Sequence, residues 1–357
     1  MEARKLAELN IGENLDQLMN LDPRGYGVCR VLYQGSRAFM GEPIAMKCAK
    51  GLKAVLSKED IVYIITGFVL LPHKHAEMDG IIGAMLLARM LVKTYGAKPV
   101  IICPKECEYA VEKLADVVGL HLYDDAKQMK EYPIAIGRVI FTKDTQQAEK
   151  QADEIMASLP PKAVIAIEAP GANSKGVYHN AKGLDLSQLE AKTDILFRKC
   201  QEAGVYNMAI GDLGNELGMG AIREHLEKYV PYMEKNGCTC GCGGGSAAAV
   251  EADEIITTTI SHWGAEAVIA ATAWLWKRPE LIHSKDMEIE AIKTASNCGM
   301  VDMYGWLDYC IDGIELQFHV ELLEMMRSCV VSALEQFEQC TDWYEKVMEK
   351  QFFASAF

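Results

Sequence analysis

Short β-branched apolar runs recur along most of this chain, each followed by a helical pattern, and that alternation restricts its fold more than any other feature. Ile61–Thr66 (IVYIIT) ends at Gly67, and Lys98–Cys103 (KPVIIC), residues 134–141, Ala163–Ile167 (AVIAI), 205–210 (VYNMAI) and 255–260 follow. Apolar runs of this length, bounded by Gly or polar residues, read as buried strands. Between them, Gly80–Tyr95 reads as a helix, with Asp79 as N-cap and Gly96 as C-cap. Residues 106–118, 145–159, 186–203, 220–235 and 264–276 read as further helices. Parallel neighbours need a crossover between them, so this order predicts an α/β fold. The expected architecture is a doubly wound, mostly parallel sheet with helices on both faces and helical additions at both ends. One domain is expected over 1–357. It comprises an N-terminal helical and loop segment (1–55), an α/β core (56–283) and C-terminal helices (284–357). The last amphipathic stretch, 320–351, suits core packing or a homo-oligomer interface.

Composition narrows the partners. The chain carries 36 Lys and Arg against 50 Asp and Glu, a formal net charge of -14. A nucleic-acid surface needs clustered cations, and none is present, so neither nucleic acid nor an anionic membrane is expected as a partner. No apolar run is long enough to span a bilayer. Met1–Lys5 leads into polar residues rather than an apolar core, unlike a signal peptide. Twelve cysteines without a leader read as reduced thiols, so a cytoplasmic location is expected.

In a doubly wound sheet, ligands bind outside the carboxyl ends of the strands. The unusual polar segments follow strands. Thr66-Gly67-Phe68 leads to Glu77-Met78-Asp79-Gly80, and Glu168-Ala169-Pro170-Gly171 leads to Tyr178-His179-Asn180. Gly211–Gly220 (GDLGNELGMG) and Ser261-His262-Trp263-Gly264 follow two later strands. Each has a plainer explanation. Asp79 could only cap its helix, Glu168 could sit in a structural ion pair, and Ser261–Gly264 could be a helix start with a packed indole. His73 and His75 read as a solvated loop. The Gly211–Gly220 segment is harder to explain structurally, because it sets Asp212, Asn215 and Glu216 among Gly211, Gly214, Gly218 and Gly220. Glycines allow positive φ and close approach to a ligand. Helix-start N–H groups favour an anion, and the carboxylates favour a cation or amine. A zwitterion, or a phosphate with Mg²⁺, suits both. Cys238, Cys240 and Cys242 have C-x-C-x-C spacing rather than the C-x-x-C of zinc knuckles or redox dithiols. They read as a flexible surface loop of free thiols, with metal or redox use as the alternative.

Together, TGF with the later E-x-D-G, AIEAPG leading to YHNAKG, GDLGNELGMG, SHWG and Ile311-Asp312-Gly313 resemble the D-glutamate cyclase family, over about 66–324. Larger relatives carry a hydro-lyase-like domain ahead of this region. Three positions depart from the family pattern: Met78 for Thr, Leu213 for Gly and His262 for Asn. The resemblance implies a lyase that converts D-glutamate to 5-oxo-D-proline and water. It implies catalytic roles for Glu77, Asp79, Asp212 and Glu216, with Glu216 the first choice for general base. Asp79, Asp212 and Glu216 are the candidate ligands for a divalent ion, Mg or Mn, although no cofactor is certain. Substrate contacts are expected from Thr66, Gly67, Gly80, Glu168, Asn180, Gly211, Gly214, Asn215, Gly218, Gly220, Ser261, Trp263 and Asp312. The loop's N–H groups are expected to hold one substrate carboxylate, with Arg24 and Lys182 as candidates for the other. A Mg-dependent enzyme acting on a phosphorylated small molecule, and a non-catalytic amino-acid sensor, are the alternatives.

Overall fold

The computed structural model describes residues 3–351. Met1, Glu2 and residues 352–357, at the ends of the single domain read from sequence, lie outside them. Three helices come first: α1 (Ala3–Met19), α2 (Val28–Met40) and α3 (Ile44–Val55). β1 (Ile61–Thr66) then enters the core. The small hairpin of β2 (Val69–Leu70) and β3 (His75–Ala76) leads into α4 (Ile81–Tyr95). The alternation continues through β4 (Lys98–Cys103), α5 (Glu108–Val118), β5 (His121–Tyr123), α6 (Ala126–Glu131), β6 (Ala135–Ile140) and α7 (Thr145–Ser158). It runs on through β7 (Ala163–Ile167), α8 (Thr193–Glu202), β8 (Tyr206–Gly211), α9 (Arg223–Tyr229), β9 (Glu254–Thr257) and α10 (Ser261–Trp276). The chain then forms α11 (Lys285–Asn297), the hairpin of β10 (Cys310–Ile311) and β11 (Ile314–Glu315), α12 (Leu316–Gln339) and α13 (Thr341–Glu349).

Seven strands form one parallel sheet in the order β5-β6-β4-β1-β7-β8-β9. From β1 the chain adds β4, then the edge strand β5, and comes back to fit β6 between them, before crossing to add β7, β8 and β9 in turn on the other side. The loops after β1 and β7 therefore diverge, and the crevice between them is where such a sheet binds ligands. The expected doubly wound α/β architecture is the observed one. No helix among the described residues is long and apolar enough to cross a membrane.

Three details differ from the periodicity. β5 has three residues, exposed or half-buried at the sheet edge, and so has no apolar run to mark it. The helix expected over 186–203 begins only at Thr193, because Leu186 and Leu189 close a turn: Leu186 N–H donates to the Tyr178 carbonyl and Leu189 N–H to that of Leu186. The helix expected to run to 235 stops at Tyr229, where Val230 is extended ahead of Pro231.

α10 lies at the centre of the helical layer, packed on α1, α3, α4 and α12 and against β8. Residues 261–275 are all buried, as expected of a helix apolar nearly all round. Two aspartates start helices far from them in sequence. The Asp16 carboxylate accepts N–H groups of Ile44 (2.8 Å) and Ala45 (3.1 Å) at the start of α3, and the Tyr33 hydroxyl (3.0 Å). Asp16→Ala leaves those buried donors unmatched and should lower unfolding free energy by about 3 kcal/mol. Urea denaturation would read it, and a loss under about 1 kcal/mol would show that this cap contributes little.

Candidate active site

Six carboxylates meet at the carboxyl end of the sheet. Glu77 and Asp79 lie between β3 and α4, Glu168 follows β7, Asp212 and Glu216 follow β8, and Asp312 sits at the turn of the β10–β11 hairpin. Oxygens of Asp79, Asp212 and Asp312 lie within 4.8 Å of one another, and so do those of Glu168, Asp212 and Glu216. Asp212 belongs to both groups. The expected trio of Asp79, Asp212 and Glu216 is thus divided between two clusters that share its middle member.

Local structure fixes each one. Asp79 is not the expected N-cap of α4, which starts at Ile81 with Gly80 as N-cap and no side-chain cap. It accepts the N–H of its neighbour Gly80 (2.7 Å) and caps α10 across the fold by accepting Ser261 N–H (2.8 Å) and His262 N–H (2.7 Å). Glu168 and Asp312 hold positive φ of 43° and 54°, a conformation that non-glycine residues adopt mainly where surrounding contacts impose it. Ser261 Oγ donates to Glu168 Oε2 at 2.6 Å. Glu216 folds back on its own loop and accepts Leu213 N–H (2.9 Å) and Gly214 N–H (2.6 Å). Gly80 has φ 80°, and a Cβ there would come 2.4 Å from Glu168 Cβ and 2.9 Å from Thr66 Oγ1.

The electrostatics follow from crowding. Burial raises the Glu77, Glu168 and Asp212 carboxyls well above their usual range, and their neighbours add to it. Glu216 presses on Glu168, and Asp312 on Glu77. Asp79 is pushed up to about 7 by burial and by Asp312, against the pull of His262. Against these stands Arg24, whose guanidinium donates to Asp312 Oδ2 (3.0 Å), the Asp312 carbonyl (3.1 Å) and the Thr259 carbonyl (2.7 Å). A rim of this charge calls for a cation or an ammonium group. All-oxygen donors suit a hard divalent ion such as Mg²⁺ or Mn²⁺. Two more oxygens on the same loops, Thr66 Oγ1 and Asn215 Oδ1, are buried without a hydrogen-bond partner.

Other expected site residues fall into supporting places. Gly67 N–H donates to the Glu168 carbonyl. Asn215 Nδ2 donates to the His179 carbonyl at 2.8 Å. Asn180 Oδ1 accepts the N–H groups of Lys182 and Leu184, closing a turn whose Lys182 is exposed. Trp263 is packed in the core, stacked on Phe318 and donating to His319 Nδ1 (2.9 Å). In the Gly211–Gly220 loop, the N–H groups of Leu213 and Gly214 already face Glu216, and that of Gly220 donates to the Val250 carbonyl. Gly211, Gly214, Gly218 and Gly220 approach protein atoms closely: a Cβ on Gly211 would come 2.8 Å from Glu216 Oε2 and one on Gly214 2.8 Å from Leu226. These glycines compact the loop around Glu216. His73 and His75 are exposed, as expected.

Behind Asp79 lies a buried network that the motifs did not reveal. His262 Nε2 is 2.7 Å from Glu288 Oε1, His283 Nε2 is 2.8 Å from Glu288 Oε2, and Glu266 lies 3.7 Å from both imidazoles. Burial opposes charge on His262, but Glu288 and Glu266 outweigh it and hold its pKa up to about 9. Glu266 in the midst of an apolar helix was the available signal. Glu190 was also missed. Its Oε1 accepts the Val69 N–H (3.0 Å) and so anchors the hairpin ahead of Glu77. Burial pushes its carboxyl up to about 8, against the Val69 N–H. A raised folded-state pKa contributes stability that is full below the unfolded value of 4.5 and is lost as pH rises through 8. Glu190→Gln should therefore flatten the fall in urea midpoint between pH 5 and 8, a difference on the order of a few kcal/mol; an unchanged slope would contradict it.

A shallow hollow at the amino ends of β7 and β8, lined by Pro161, Lys162 and Tyr206, lies at the far edge of the sheet. Chemistry rather than concavity locates the site. Residues 15–327 match the family described as "D-glutamate cyclase-like, C-terminal". The chain belongs to that family. It is also similar to the mitochondrial D-glutamate cyclase of Homo sapiens, 31% identical over 109 residues, which is 30% of this chain and 16% of that protein. The matched segment thus spans under a fifth of the relative's length. The pieces that carry the D-glutamate cyclase-like resemblance, from Thr66 to Asp312, supply the six rim carboxylates.

Proposed function

We propose that this chain is a lyase of the D-glutamate cyclase type, converting D-glutamate to 5-oxo-D-proline and water. The observation that carries the reading is the convergence of six buried or half-buried carboxylates, beside Arg24, at the switch point of the sheet. Such a rim attracts an amino acid's ammonium.

The amino group must lose a proton before it attacks the γ-carboxyl carbon. Glu168 is assigned that proton: burial beside Glu216 raises its basicity, and the Ser261 hydroxyl donating to Oε2 (2.6 Å) supports the ionised form that a base needs. Glu216 becomes the loop's organiser, because both its oxygens already accept loop N–H groups. As the new C–N bond forms, the nitrogen passes its second proton to the oxygen that will depart; with one proton more, that oxygen leaves as water as its C–O bond breaks. Glu77, kept neutral by burial and by Asp312, can give it. Asp79, Asp212 and Asp312 would hold a hard divalent ion, which when bound neutralises the γ-carboxylate and makes its carbon electrophilic. Arg24 orders Asp312 and adds positive charge to the rim.

The test is 5-oxoproline formation by NMR from D-glutamate and separately L-glutamate, with Mg²⁺ or Mn²⁺ and again with EDTA. Turnover of the D form is expected, and loss under EDTA would support the metal. Binding of D-glutamate with no product under any condition would turn the reading to a sensor.

A further inference from the structure

The cysteine loop is not an isolated run of thiols. Ahead of β9 the chain turns through Cys238, Cys240 and Cys242, and the structure sets all three beside His179 from the loop after β7. His179 Nε2 is 3.1 Å from Cys240 Sγ and 3.7 Å from Cys242 Sγ. Cys238 Sγ is 3.4 Å from Cys242 Sγ and 3.6 Å from Cys240 Sγ. The four donor atoms lie within 4.8 Å of one another. A tetrahedron with Zn–S near 2.3 Å and Zn–N near 2.0–2.1 Å has S–S edges of about 3.8 Å and N–S edges of about 3.6 Å. The observed separations cluster around those edges. The sulfurs stand too far apart for a disulfide, whose S–S bond is about 2.0 Å.

Surrounding residues hold the four in place. His179 is 1% exposed and its carbonyl is fixed by Asn215 Nδ2. Thr239 N–H donates to the Gly183 carbonyl (3.0 Å), and its hydroxyl donates to the carbonyls of Gly183 and Lys182. A Cβ on Gly183, at φ +68°, would come 2.9 Å from Cys238 Cα, so this contact requires glycine. Cys242 Sγ accepts from Asn173 Nδ2 (3.2 Å) and from Gly244 N–H (3.4 Å). Donors aimed at a sulfur stabilise a thiolate and orient a metal ligand.

We propose that His179, Cys238, Cys240 and Cys242 form a tetrahedral Cys3His site for one Zn²⁺. Three thiolates and an imidazole select a borderline-soft ion, whereas the carboxylate rim selects a hard one. Four protein ligands fill the coordination sphere, which marks the site as structural rather than catalytic. Binding deprotonates the three thiols and releases their protons to solvent. The centre fastens the cysteine loop to the turn at 178–185. Through Asn215 and the His179 carbonyl it also braces the glycine-rich loop that carries Asp212 and Glu216. The spacing alone argued for free thiols because the fourth ligand is 61 residues away from Cys240.

The full-length protein, purified under reducing conditions, is loaded with one equivalent of Zn²⁺, desalted and measured by elemental mass spectrometry. About one zinc per chain is expected, together with loss of three reactive thiols. Co²⁺ in its place should give thiolate charge-transfer and intense tetrahedral ligand-field bands. Cys240→Ser should weaken zinc retention about 100-fold or more, and Cys240→His should restore it. Asp212→Asn should retain the zinc, which separates this centre from the carboxylates. The proposal falls if wild-type protein with reduced thiols holds no zinc. It also falls if Cys240→Ser keeps its zinc undiminished, or if intact mass shows a Cys238–Cys242 disulfide in place of bound metal.

Discussion

Asp212→Asn should cut 5-oxoproline formation by about 10³-fold or more while raising the melting temperature of the ligand-free protein. Both effects have one cause. Asp212 is the carboxylate shared by the two clusters, and burial together with Glu168, Asp312 and Glu216 makes its charge costly. Replacing a carboxylate oxygen by an amide relieves that repulsion and costs no loop hydrogen bond of the kind Glu216 makes. It also deprives a cation or ammonium of the ligand common to both groups. NMR rates and a thermal melt measure the two effects on one sample. Turnover within about tenfold of wild type, with the fold intact, would remove Asp212 from the machinery.

Gly218→Ala should destabilise the fold by about 2–4 kcal/mol, with no chemical group lost. Gly218 has φ 96°, and a Cβ there would lie 2.2 Å from Ala209 Cβ and 3.0 Å from Ala252 Cβ. Ala209 is in the middle of β8, fully buried, and cannot move without shifting the strand. A positive φ costs roughly 1 kcal/mol for alanine, and overpacking adds roughly 1–3. Gly25, also at positive φ but with nothing within 4 Å, is the control: Gly25→Ala carries the dihedral cost alone. Urea midpoints of the two variants should differ clearly. Equal midpoints would show that the β8 contact yields without cost.

The comparison of these two glycines also shows what could be read from the chain. β1, β4 and β7 were legible because central parallel strands are apolar on both faces, and β5 was not because an edge strand of three residues has no such pattern. The rim was legible for a related reason: a carboxylate straight after an apolar run, as at Glu168, is costly unless something meets it. Periodicity carries no information on partners far apart in sequence. Asp79 was read as the cap of its own helix, and it caps α10 across the fold instead. The three cysteines were visible, but not His179 beside them. Trp263 was read both as a substrate contact and as a packed indole, since an indole at a helix start reads the same either way; the structure packs it against Phe318 and His319 of α12.

Arg24 and Asp312 meet across 288 residues of sequence. On the ribosome the guanidinium emerges before all six carboxylates of the rim, and the one it pairs with emerges after the other five. The other five acidic side chains of the rim leave the tunnel in between, with their counter-ion already waiting and the hairpin that seats it still unmade. A nascent chain therefore carries the earlier parts of the site without the closing contact over those 288 residues. The rim is closed only once the polypeptide has been made past Asp312.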